Sequence, residues 1–177
     1  MVSRSAIQGD LIECLPNLRA FAITLCGNTD LADDLVQETL LKGWKSLASF
    51  EEGTNLRAWL FTILRNTFLS HLRRQRGDLF VNDGDIDISR QGREPEQMAW
   101  MNNQDMLRAL RKLDPAQREA LILVAAEGFS YEEAARICEC AVGTVKSRVN
   151  RARVRLAELL GIERPALISR DREDIRR

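Results

Sequence analysis

Over most of the chain, apolar residues return every three or four positions, the spacing of one buried helical stripe, and nowhere do they alternate long enough to make a secure strand. From Ser5 to Leu25 the stripe is Ile7, Leu11, Cys14, Leu15, Leu18, Phe21, Ala22 and Leu25. Pro16 interrupts it; a proline inside a helix removes a donor and crowds the preceding turn, so a kink or break is expected there. Cys26-Gly27-Asn28-Thr29 reads as a turn, and Asp30 with Asp33 as the start of a second helix reaching about Ala48. Its expected buried stripe is Val36, Leu40, Trp44 and Leu47, which leaves Asp34, Gln37, Glu38, Leu41 and Lys45 on another face. Ser49 to Asn55 is a loop that closes on Gly53 and two good capping residues, Thr54 and Asn55. A third helix follows from Leu56 to about Arg76, burying Leu56, Leu60, Ile63, Leu64 and Leu72.

Between Gly77 and Pro95 the pattern stops. Three glycines, a proline and five acids give this stretch the composition of a linker, and the Asp85-Ile86-Asp87-Ile88 alternation inside it is too short and too charged for a strand. Helical spacing resumes from Glu96 to Leu113 through Met98, Met101, Met106, Leu107 and Leu110. Asp114-Pro115-Ala116-Gln117 is a helix start, with Asp114 as cap, and Gly128 suits the left-handed conformation that ends that helix. Ser130-Tyr131-Glu132-Glu133 opens a short helix with a capping box, Phe129 and Ala134 forming its apolar staple. After a break near Glu139 to Ala141, Val142, Val145, Val149, Ala152, Leu156 and Leu159 mark the stripe of a longer helix. Beyond Gly161, Pro165 interrupts, and Arg170 to Arg177 is a mixed charge run expected to fray. The expected fold is all-α: a helical domain over 1–76, an acidic linker over 77–95, a helix-turn-helix domain over 96–161 and a tail over 162–177.

Composition changes this picture only locally. The chain of 177 residues is 45% hydrophobic and 29% charged, and its 26 Lys plus Arg balance 26 Asp plus Glu, so no overall basic signature marks it. Residues 77 to 96, however, hold two basic against six acidic residues, a net of −4, while Arg65–Arg76 and Gly143–Arg155 contain no acid at all. Cys14, Cys26, Cys138 and Cys140 form no CxxC pair and a single histidine, His71, accompanies them, so reduced, mostly buried thiols are expected and neither metal nor cofactor. His71 itself reads as a packing or hydrogen-bonding residue. Phosphate-binding GxxxxGK, GxGxxG, HExxH and GxSxG patterns are absent, which argues against an enzyme. The longest apolar run, Ala120–Ala126, is far short of the ~18 residues of a membrane span, and no signal peptide opens the chain, so a cytoplasmic location without membrane contact is expected.

A basic face on an amphipathic helix is most often solvated surface, and an ordinary helical hairpin accounts for the second domain as well. The context favours nucleic acid. A two-turn helix, a tight turn and a longer helix carrying Thr144, Lys146, Ser147, Arg148, Asn150, Arg151, Arg153 and Arg155 on its outer face is the geometry that sets side chains against base edges in a major groove. Lys146, Ser147, Asn150 and Arg151 have the donors and acceptors to read bases, with Thr144 and Arg148 nearer the backbone.

The order DDLVQETLLKGWKSLASF, GTNLRAWLFTILRNTFLSHLRR, an acidic linker and LDPAQREALILVAAEGFSYEEAARICECAVGTVKSRVNRARVRL resembles the bacterial RNA polymerase sigma factors of the extracytoplasmic-function group, from about Leu11 to Leu160. The stretch GTNLRAWLFTILRNTF is most similar to the EcfG-type general stress sigma factors. The resemblance implies two helical domains, sigma-two and sigma-four, that bind core RNA polymerase at its beta-prime clamp helices and beta flap, and bind promoter DNA. Asp34, Gln37, Glu38 and Leu41 match the clamp-docking surface. The loop bearing Ser49, Phe50 and Asn55 matches a pocket for a base flipped from the -10 element, Asn66 an upstream reader, and Arg65, Arg73 and Arg76 phosphate contacts. Thr144, Lys146, Ser147, Arg148, Asn150 and Arg151 would meet a G/A-rich -35 element. Thr62 and Ile63 stand where housekeeping relatives carry strand-wedging tryptophans, so melting should be more sequence-demanding. Glu139 and Ala141 replace a glycine and a serine common in the family's turn, which implies a missing left-handed residue and a missing cap.

The resemblance also implies inhibition by a small NepR-like anti-sigma protein, removed in turn by a sigma-mimicking response regulator. A Gly-containing linker does little to fix two domains, and an inhibitor bridging both gains effective concentration for its second contact. The acidic linker is expected to lie along the nucleic-acid path in the polymerase. Two other readings stand beside this one: a stand-alone helix-turn-helix regulator, which leaves the first domain without a task, and a sigma-like decoy that binds a regulator and never DNA.

Overall fold

The computed structural model describes residues 4–51, 53–79 and 101–162, and among these there are seven α-helices and no strand. The expected linker beyond residue 79, the helix start at Glu96 with Met98, and the tail with Pro165 lie outside the described residues. The helices form two compact units, the first built on α1, α2 and α3 and the second on α4, α5, α7 and most of α6.

In the first unit α1 (Arg4–Cys26) runs through Pro16 without a break, so of the kink or break expected there the break does not occur. Proline deprives the carbonyl one turn back, that of Ile12, of its donor. Ile12 is 66% exposed, so water can take the donor's place. The inner face of α1 buries Leu11, Leu18, Phe21 and Ala22, and the Phe21 ring meets Phe61 at a centroid distance of 5.0 Å. Such a tilted pair adds to the stabilisation from burial alone.

Helix α2 (Thr29–Lys45) carries Asp30 in its first turn, as the sequence indicates, with its cap just before Thr29. Asn28 is that cap, its side-chain oxygen accepting from the Leu31 N–H at 2.9 Å. Asp33 is instead gripped by Arg19 of α1, with Nε to Oδ1 at 2.6 Å and Nη2 to Oδ2 at 3.2 Å. The stripe is also displaced. Ala32, Leu35, Val36, Thr39 and Gly43 are buried, whereas Leu40 and Leu47 are half-buried and Trp44 is 42% exposed. Small side chains allow α2 to approach its neighbours closely, and a pattern read from the bulky residues alone rotates away from them. At Gly43 an added Cβ would sit 3.2 Å from Leu60 Cδ2. A 3-10 turn, Leu47–Ser49, replaces the last expected turn of α2. Helix α3 (Leu56–Leu79) continues past Arg76 and buries Leu60, Phe61, Leu64 and Thr67, with Leu56, Ile63 and Leu72 half-buried.

In the second unit α4 (Met101–Arg111) buries Ala109 and half-buries Met106 and Leu110, while Leu107, expected inside, is 40% exposed. Helix α5 (Pro115–Leu121) begins as the sequence indicates, with Asp114 Oδ1 accepting from the Ala116 and Gln117 N–H groups at 3.0 and 3.2 Å. It then widens into a π-helical turn, Ile122–Ala126, where the Glu127 N–H reaches the Ile122 carbonyl at 2.9 Å. Gly128 closes it at φ +71°, which sets Phe129, 3% exposed, into the core.

Candidate nucleic-acid and polymerase interfaces

The helix-turn-helix is built from α6 (Tyr131–Ile137) and α7 (Val142–Leu160). The capping box before α6 closes both ways: Ser130 Oγ accepts from the Glu133 N–H at 3.1 Å, and Glu133 Oε2 accepts from the Ser130 N–H at 2.9 Å. Ala134 and Ile137 are fully buried beneath it. In the turn, Glu139 adopts φ +53° without being glycine, and Ala141 stands as N-cap of α7 with no side-chain bond to give. The left-handed residue implied to be missing is thus supplied, under strain, by Glu139, while α7 starts without a side-chain cap as expected.

Helix α7 buries Val145, Val149, Ala152 and Ala157, with Val142, Leu156 and Leu159 half-buried. Ala157 thus completes the stripe where Leu156 was expected, again a small residue on the buried face. Outward, Thr144, Lys146, Asn150, Arg151 and Arg155 are exposed and Ser147, Arg148 and Arg153 half-buried. The cations are not equivalent. The Lys146 ammonium lies 5.5 Å from the centre of the Tyr131 ring, Arg148 Nη1 donates to Cys140 Sγ at 3.7 Å, and Arg155 pairs with Glu158 at 3.1 Å. Arg148 is thereby drawn back toward the turn.

On the first unit, Ser49 is exposed, and its hydroxyl donates to the Ser46 carbonyl at 2.6 Å. Phe50 is half-buried against Trp59, ring centroids 5.3 Å apart, so the loop is pinned to α3 by an aromatic contact. Asn55 spends its side-chain oxygen as a helix cap, accepting from the Ala58 N–H at 3.1 Å. Along α3, Asn66 and Arg73 are exposed and Arg65 half-buried; Arg76 lies in the same helix. On α2, Asp34, Gln37 and Leu41 are exposed, Leu41 at 62%, and Glu38 is half-buried. Glu38 is engaged rather than free, with Oε1 2.7 Å from Lys42 Nζ. That hydrogen bond holds the Glu38 carboxyl below its ordinary range; partial desolvation opposes it, and the Lys42 and Arg74 charges assist it. Lys42, Tyr131 and Trp59 are contributors that the sequence reading missed. The Glu38–Lys42 spacing was a legible signal for the first; the ring contacts carried none.

The four cysteines are free, Cys26 and Cys138 buried, and burial pushes the Cys26 thiol above its ordinary pKa. Among the described residues no group of three His, Cys, Asp or Glu could hold a metal ion, and no helix is long and apolar enough to cross a membrane.

Two helical units, one ending in a helix-turn-helix with a cationic outer face, define a modular helix-turn-helix protein. Residues 11–77 match the family Sigma-70 region 2, and residues 103–156 match Sigma-70, region 4. The chain belongs to the extracytoplasmic-function family of RNA polymerase sigma factors. It is 52% identical over 158 residues to the ECF RNA polymerase sigma factor EcfG of Rhodopseudomonas palustris (strain TIE-1), covering 89% of this chain and 87% of that one. Its fold matches the sigma factor RpoE from Bartonella quintana, solved in complex with the anti-sigma factor NepR, with a TM-score of 0.81, 51% identity and coverage of 89% of this chain and 98% of that one. CnrH in complex with the cytosolic domain of CnrY is similar at a TM-score of 0.65 and 26% identity, over 90% of each chain.

Proposed function

We propose that this sigma factor docks on core RNA polymerase through Asp34, Gln37, Glu38 and Leu41, directs it to promoters, and helps open the -10 region of general stress genes. The observation that carries this reading is the pairing of two separate cationic helices, the second half of α3 and the outer face of α7, with a third, exposed face on α2. In this reading Ser49, Phe50 and Asn55 form the rim of the pocket for a flipped -10 base, Asn66 reads beside it, and Arg65, Arg73 and Arg76 hold phosphates. Pocket preformation matters, because flipping costs a few kcal/mol of stacking; the Phe50–Trp59 contact, which pins the loop to α3, supports this part of the reading. Thr144, Lys146, Ser147, Arg148, Asn150 and Arg151 meet the -35 element. The working parts are residues 1–76 and 96–161, with 77–95 as connector.

A NepR-like anti-sigma protein is the proposed inhibitor, supported by the complex in which the relative from Bartonella quintana was solved. It would contact both units, so each unit alone should bind it much more weakly than the full chain. The reading is tested by reconstitution. The purified protein with core polymerase should give promoter-specific transcripts, and their absence would overturn the proposal in favour of a stand-alone regulator or a decoy.

A further inference from the structure

The Lys42 ammonium faces two acceptors on two different helices. It pairs with Glu38 Oε1 at 2.7 Å, one turn back on α2, and donates to Thr67 Oγ1 on α3 at 3.0 Å. The three groups differ in freedom: the Glu38 and Lys42 side chains are each 43% exposed, whereas Thr67 is only 2% exposed. A solvated pair one turn apart is normally loose and contributes little, since both long side chains exchange among rotamers. Here one end is tethered to a hydroxyl locked in the core. Two other threonines in this unit, Thr39 and Thr62, donate their hydroxyls to carbonyls of their own helix, at 2.7 and 2.9 Å. Thr67 instead accepts across the interface between helices.

We propose that Lys42 is a positioning residue that holds the polymerase-facing carboxylate of Glu38 against the DNA-facing helix α3 through the hydroxyl of Thr67. Lys42 occupies one carboxylate oxygen of Glu38 and leaves the second for a donor on the polymerase. Tethering removes rotamers from Lys42, and through it from Glu38, before docking, so that less side-chain entropy is lost when the contact forms. Thr67 directly follows Asn66, the proposed -10 reader, and lies two residues after Arg65. One ammonium therefore links the docking face to the stretch of α3 that handles DNA. The inference rests on the proposed docking role of Glu38 and adds how that side chain is held.

The test uses the full chain and core polymerase, with affinity measured for Glu38→Gln, Lys42→Met, Thr67→Val and Thr67→Ser. Thr67→Val preserves shape and removes the hydroxyl; it should weaken core binding roughly three- to tenfold. Thr67→Ser should restore the native affinity. Lys42→Met, on the surface, should match the loss of Thr67→Val, and it serves as the reporter if the valine variant fails to fold. In a Glu38→Gln background neither change should weaken binding further. Native affinity for both Thr67→Val and Lys42→Met, or an undiminished further loss without the Glu38 carboxylate, would overturn the inference while leaving the docking face intact. A Glu38→Gln variant that binds core polymerase as tightly as the native chain would remove Glu38 from the docking face, and this inference with it.

Discussion

Lys146 holds its ammonium 5.5 Å from the centre of the Tyr131 ring, so the first residue of α6 restrains a cation on the outer face of α7. At an exposed site such an interaction contributes about 0.5 to 1 kcal/mol. Tyr131→Phe keeps the ring face and should bind -35 DNA as the native chain does. Tyr131→Leu should lose about two- to fivefold in affinity, the same energy expressed as a ratio. Titration of a labelled -35 duplex distinguishes them, and equal affinity for both variants would rule out the ring as the restraint.

The turn between α6 and α7 should be improvable. Glu139 sits at φ +53°, a conformation that costs an L-residue about 1 to 2 kcal/mol, whereas glycine adopts it freely at some cost in chain entropy. Glu139→Gly should therefore raise stability by about 0.5 to 1 kcal/mol, and Glu139→Ala, which keeps the strain, should not. Ala141→Ser should add about 1 kcal/mol by supplying the absent cap. Thermal unfolding of the three variants decides each point.

Arg148 and Arg151 should separate position from specificity. Arg151→Ala is expected to cost ~1 to 3 kcal/mol at one preferred base and to relax selection there. Arg148→Ala should weaken all sequences alike, because its guanidinium is drawn toward Cys140 in the turn. Binding measured across a panel of single-base -35 variants reads both outcomes. Unchanged profiles for both substitutions would refute the assignment.

The Arg19–Asp33 pair gives a pH signature. The Arg19 hydrogen bond holds the Asp33 carboxyl below its ordinary value. The unfolded chain then takes up the proton at higher pH than the folded one, so the contribution is complete above the ordinary carboxylate pKa of about 4 and is lost as pH falls through the lowered folded value. Asp33→Asn should lie below the native chain in stability at neutral pH, with the gap closing only in acid. Both partners are exposed, so the gap should be small and shrink with added salt.

Helix starts were the most legible part of the fold, because Asp114, Ser130 and Asn55 cap through local hydrogen bonds that depend on residues two or three positions away. The stripes of α2 and α7 were less so. Ala32, Gly43 and Ala157 lie on the buried faces, and a reading weighted by bulk gave those places to Trp44 and Leu156. The π-helical turn at Ile122–Ala126 leaves no periodic trace over one turn. The outer face of α7 was legible as a set of residues but not as a set of constraints, since the ring beneath Lys146 lies 15 positions earlier in the chain.

Gly43 acts as a spacing gauge. Its bare Cα lets α2 rest against Leu60, a side chain with no exposed surface into which its methyl could swing. Adding a single methyl here would require Leu60 to yield by a few tenths of an ångström, and any part of that displacement passed to the backbone would widen the gap between α2 and α3. The neighbouring Lys42 spans that gap with one hydrogen bond of 3.0 Å, which weakens quickly with distance. Substitution at this glycine would thus be felt as a change in electrostatic alignment as much as in packing, at a site that bears no charge.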